Sequence, residues 1–148
     1  MTRFRFRLER LLGLREASER ARAQAFGRAT ETAALARRVA TASAQLERDA
    51  EQQVARAMAV PMPAGLFGSL AAARDDIAGR AADLAEASHV ADEERTQALA
   101  DYRDARRDRS ILERLSDIRR EAFQLEVSRA ERREMDEIAA RRPGGVHP

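Results

Sequence analysis

Carboxylates are the most plentiful reactive groups in this sequence, and three adjacent pairs stand out: Asp75-Asp76, Glu93-Glu94 and Asp136-Glu137. Acid–base catalysis needs two carboxyls aimed at one reacting atom. Neighbours on a helix point about 100° apart, so none of these pairs makes a dyad. The two histidines, His89 and His147, are far apart in sequence. His147 falls in the terminal tail and His89 reads as a surface residue, so no zinc site is expected from them. There is no cysteine, which excludes a disulfide, a thiol nucleophile and a cysteine-bound metal. Neither the G-x-x-x-x-G-K-[ST] loop nor the G-x-S-x-G elbow is present. The chain is therefore expected to be no enzyme and to hold no cofactor and no metal. Two helices would also enclose no concave pocket for a substrate.

The elements that carry these residues emerge from composition and spacing. Hydrophobic residues make up 44% of the 148, but aromatics only 4%, and much of the rest is alanine. That cannot fill a thick globular core; it suits helices sharing a narrow seam. Alanine, arginine, glutamate and leucine are strong helix formers, and β-branched residues are few. Pro61, Pro63, Gly65 and Gly68 break the pattern once, and Ser69 is placed to cap the second helix. The expectation is an all-α, long two-helix antiparallel coiled-coil hairpin, a single unit over residues 1–142. Its helices are expected over 3–58 and 69–142, about 80 and 110 Å long, with a turn at 59–68. Residues 143–148 are expected to form a disordered tail.

The second helix has a clear heptad at Leu70, Ile77, Leu84, Ala91, Ala98, Ala105 and Leu112, with Ala73, Ala81, Tyr102 and Leu115 as companions. In the first, a seam is expected through Leu8, Leu11, Leu14, Ala21, Ala25, Leu35, Val39, Ala42 and Leu46, diluted by Ser18, Arg28 and Thr32. Gly13, Gly27 and Gly79 are expected to permit close packing or mild bending. A reversal near residue 63 predicts that partners have numbers adding to about 126, with Leu14 by Leu112 and Leu11 by Leu115. Beyond about residue 122 the second helix then has no partner. The overhang carries Phe123, Leu125, Val127, Met135 and Ile138, which suggests a docking surface.

Charge is uneven. Residues 1–22 carry +4, residues 106–142 carry +2, and the stretch between them −4. A hairpin gathers both basic ends together, facing an acidic pocket or nucleic acid. The basic start is no signal peptide, because Arg7, Glu9 and Arg10 interrupt the apolar run. Nor does any run approach the ~20 apolar residues of a membrane helix, so a soluble protein is expected.

Two terminal segments carry a family resemblance. The first is Phe4-Arg-Phe6-Arg-Leu8-Glu-Arg-Leu-Leu12, and the second is the acidic–basic helix from Glu126 that contains Arg132, Arg133, Asp136 and Glu137. With the two-helix layout and the length, the chain resembles the bacterial flagellar export protein family FliJ. The resemblance implies a stalk-like part in type III export, inserted in the ring of the export ATPase FliI and contacting the export gate FlhA and substrate chaperones. It implies a cytoplasmic location, peripheral at the inner face of the cell membrane, with membrane contact only through partners and no nucleic acid. Candidate ATPase contacts are Phe4, Phe6, Leu8, Arg132, Arg133, Met135, Asp136 and Glu137. Candidate gate contacts, at the turn, are Leu66, Phe67, Leu70, Ala73 and Ile77. Arginine stands where the family has lysine, and the turn is unusually rich in proline. The alternative class is a basic nucleic-acid-binding coiled coil or a structural scaffold, and the first of these would weaken steeply with salt.

Overall fold

The computed structural model describes residues 4–141. The expected helix ends at residues 3 and 142, the tail at 143–148 and His147 lie outside them. Two α-helices pack against each other as a hairpin: α1 (Glu9–Met58) and α2 (Ala64–Arg141). Glu9 in the first turn of α1, and Arg56 and Arg141 in the last turns, complement the helix dipoles.

Both ends of the turn are set by proline. Pro61 and Pro63 cannot donate to a helix ladder, and Met62 before Pro63 is pushed out of the helical region. α1 therefore closes at Met58 with two short bonds, Ala59 N to Arg56 O and Val60 N to Ala57 O, each 3.2 Å. The second helix starts earlier than expected, at Ala64 instead of 69. Pro63 begins it: its carbonyl accepts from Leu66 N at 3.0 Å and Phe67 N at 3.2 Å. Gly65 and Gly68 are ordinary helical residues with no positive φ. Ser69 is no cap; its hydroxyl donates back to Gly65 O at 3.0 Å. The turn thus shrinks from ten residues to five, 59–63.

Residues 4–8 are not helical, so α1 starts at Glu9 and not at residue 3. Along Phe4-Arg-Phe6-Arg-Leu8 the two rings are half-buried and Arg5, Arg7 and Leu8 are exposed, and residues 7–8 form a turn closed by Glu9 N to Phe6 O at 3.2 Å.

Contacts divide the chain into a terminal unit, residues 1–19 with 105–148, and a central unit, residues 20–104. In the terminal unit Arg15 pairs with Asp108 at 3.0 Å. In the central unit Arg22 pairs with Asp101 at 3.2 Å and Arg37 with Asp92 at 2.6 Å, and Phe26 stacks parallel to Tyr102 with centroids 6.3 Å apart. The paired numbers add to 123, 123, 129 and 128, close to the register read from the turn.

The α2 heptad from Leu70 to Leu112 lies inward, with Ala91 buried and the rest half-buried; Ala73 alone among its companions is exposed. The α1 seam differs from expectation. Leu14, Leu35 and Leu46 are 67, 57 and 63% exposed. The inward row is instead Leu12, Glu19, Phe26, Ala33, Ala40, Glu47 and Val54, one residue later than 11, 18, 25, 32, 39 and 46. One residue turns the face by about 100°. Alanine lets the helices approach closely: Ala33, Ala81 and Ala91 are the buried apolar residues, and among the described residues no large side chain is fully buried. None of the five described glycines sits in a close approach, since a Cβ at each would meet nothing within 4 Å.

Candidate functional site

In the terminal unit the segment before α1 lays Phe4 on Phe123, with centroids 5.7 Å apart and the rings tilted by 48°. The Arg120 guanidinium stands over the Phe4 ring, 5.9 Å from its centroid. Phe123 is therefore not part of a free overhang. Phe6, Leu8 and Leu115 continue the apolar lining of a groove of about 680 Å3, and Arg5, Arg7 and Arg119 complete it. Leu115, Arg119 and Phe123 were not singled out for this role by sequence. The register held the signal, since residue 4 falls opposite residue 122.

Below the groove lies a polar layer. Glu19, in the inward row of α1, forms an ion pair with the Nε of the half-buried Arg109 of α2. The contact lies off the N–H axis, so it is a charge pairing more than an aligned hydrogen bond. Arg109 also reaches Glu113 at 2.8 Å through its terminal nitrogen. Glu19 raises Arg109 above the ordinary guanidinium value against the opposing effect of burial, and Glu113 and Glu16 add to it, so this cation keeps its charge. Ser116 is buried a short way further along α2.

Past Ser128 every described residue of α2, 129–141, is exposed. Arg132, Arg133, Met135, Asp136 and Glu137 all lie there, with Met135 at 68% exposure. Arg132 is about 13 Å further along the helix axis than Phe123. The structure thus gathers Phe4, Phe6 and Leu8 in one groove and leaves the other five candidates on a separate stretch of helix. Glu137 pairs with Arg141 one turn on, at 3.9 Å.

In the central unit Leu66 and Phe67, in the first turn of α2, are 52 and 43% exposed. Ala73 is exposed, while Leu70 and Ile77 are half-buried in the inward row. The carboxylate pairs are exposed as well, and His89 stands 3.5 Å from Glu93. Among the described residues no group of His, Cys, Asp and Glu is placed to hold a metal ion.

These features define the class: an all-α coiled-coil hairpin whose larger apolar side chains stand largely at its surface. The family profile of the flagellar FliJ protein matches residues 4–145, nearly the whole chain, and the chain belongs to that family. No curated protein and no solved structure matches it significantly. The family is a cytoplasmic, non-catalytic component of flagellar export. An export-related role, with partners in the export machinery, follows for this chain. Among the described residues no helix is long and apolar enough to cross a membrane.

Proposed function

We propose that this chain is a non-catalytic, stalk-like subunit that enters the ring of the export ATPase FliI with its terminal unit and contacts the export gate FlhA through residues near the turn, with substrate chaperones as further partners. On this reading it works in the cytoplasm at the inner face of the membrane, reaching the membrane only through its partners. The observation that carries the reading is the bare stretch of α2 from residue 129 to 141. A helix that holds Met135 and Ile138 at 68 and 57% exposure, in a stretch where every described residue is exposed, is supported as a surface that a partner covers. Phe4, Phe6 and Leu8 would lie beside the ring as part of the same unit. Leu66 and Phe67, with Leu70, Ala73 and Ile77 on the same stretch of helix, are the proposed gate contacts.

The mechanism is mechanical and allosteric. An asymmetric pair of helices in a ring touches some catalytic interfaces more strongly than others, and only that difference can bias their states.

Co-purification tests both contacts. A chain ending at Ser128 keeps its helical circular dichroism and should no longer capture the ATPase. Replacing Leu66 and Phe67 by aspartate should weaken capture of the gate protein and leave ATPase capture intact. Undiminished ATPase capture by the shortened chain would remove the ring-insertion reading.

A further inference from the structure

We infer that the groove between residues 4–8 and α2 is a docking site for an acidic peptide segment anchored by apolar side chains. This names the chemistry of the partner contact in the unit proposed above to enter the ATPase ring, and it rests on that reading.

The apolar lining of the groove is Phe4, Phe6, Leu8, Leu115 and Phe123, with Phe4 packed on Phe123. Among the described residues its charged lining is Arg5, Arg7 and Arg119 with no carboxylate, while Glu9 lines the neighbouring hollow beside Arg5 and Arg7. By contrast, in the same unit Arg15 stands against Asp108, Arg109 against Glu19 and Arg141 against Glu137. Beside apolar walls a carboxylate gains more from a guanidinium than it does in open water. The planar fork of arginine also pairs with a carboxylate through two parallel bonds. The apolar lining demands that the same ligand carry apolar side chains, since charge alone would leave it uncovered. An extended peptide with acids on one face and leucine or phenylalanine on the other meets both demands.

Two other macromolecules fit less well. Single-stranded nucleic acid uses open aromatic faces for its bases. Here Phe4 is tilted against Phe123 and capped by Arg120. An anionic membrane takes up apolar side chains that point outward beside the cations. Here Phe4 and Phe6 are half-buried, and it is Arg5 and Arg7 that are exposed.

Fluorescence anisotropy with the full chain tests the inference. The probe is a short fluorescein-labelled peptide in which aspartate alternates with leucine; the control has lysine for aspartate. The aspartate peptide should bind, more weakly as salt rises, and the lysine peptide should not. Arg5→Glu, Arg7→Glu and Arg119→Glu should each weaken binding about tenfold or more. Arg106→Glu, an exposed guanidinium outside the groove, should change it by less than about twofold. Equal binding of the two peptides, wild-type affinity in the groove variants, or preference for an oligothymidine or for phosphatidylglycerol vesicles would overturn the inference. ATPase capture separates it from the reading beneath it. If the groove variants lose the peptide but still capture the ATPase, the groove is not that contact and the inference fails while ring insertion stands. If the wild-type chain binds the peptide through these arginines yet captures no ATPase, ring insertion fails and the groove remains an acidic-peptide site for another partner.

Discussion

Side-chain size misleads at single positions of α1. Leu35, Val39 and Leu46 draw the eye to one face, yet they stand 41 to 63% exposed while Ala33 is fully buried. A seam between closely packed helices selects for small side chains, and two acids, Glu19 and Glu47, sit in its row. A search for large apolar residues therefore lands one position early. The second helix escapes the error because Leu70, Ile77, Leu84 and Leu112 happen to fall on the inward row itself. The two faces separate experimentally. Ala33→Leu forces the helices apart and should cost about 1–3 kcal/mol in chemical denaturation. Leu35→Asp, on the outer face, should change stability by no more than about 0.5 kcal/mol. The reverse order would return the seam to Leu35 and Val39.

At the scale of the elements, proline decided more than glycine. The sequence suggests a turn over 59–68 with Gly65, Gly68 and Ser69 taking part, whereas the helices leave only 59–63 between them. All three are helical, because Pro63 supplies the start and no position there requires a positive φ. The N-terminal segment was misread for a related reason. Its period-two alternation was absorbed into the helix by the strong helix formers just after it, so the strip that lines the groove was legible as motif but not as conformation. Of the groove, Phe4, Phe6 and Leu8 were reached through the resemblance, while Leu115, Arg119 and Phe123 needed the register carried to the chain end. The glycines inside α2 lead to a prediction on the same footing. A Cβ at Gly79 meets nothing within 4 Å, and its φ is not positive. Gly79→Ala therefore loses no packing and removes backbone freedom from the unfolded chain. It should stabilise the helix by about 0.8–1 kcal/mol, read as a higher denaturant midpoint. A loss of stability there would mean that Gly79 permits a close approach after all.

For the whole molecule the consequence is a shallow source of stability. Its buried apolar residues are alanines, and among the described residues no large side chain is fully buried. Small cores leave little margin after the entropy of ordering the chain, so a bound partner weighs heavily. A ligand that binds only the folded state adds about 2.7 kcal/mol at a hundredfold excess over its Kd. That is about a hundredfold slowing of amides that exchange through global unfolding. Saturating export ATPase should produce a slowing of this size at such amides along both helices. The same experiment on a chain ending at Ser128 should give none, although its free-state exchange should match the full chain, because every residue from 129 to 141 is exposed. The two comparisons divide the question. Faster exchange in the free shortened chain would mean that the exposed stretch of α2 supports the fold. Protection of the shortened chain equal to that of the full one would mean that the ATPase grips the hairpin elsewhere.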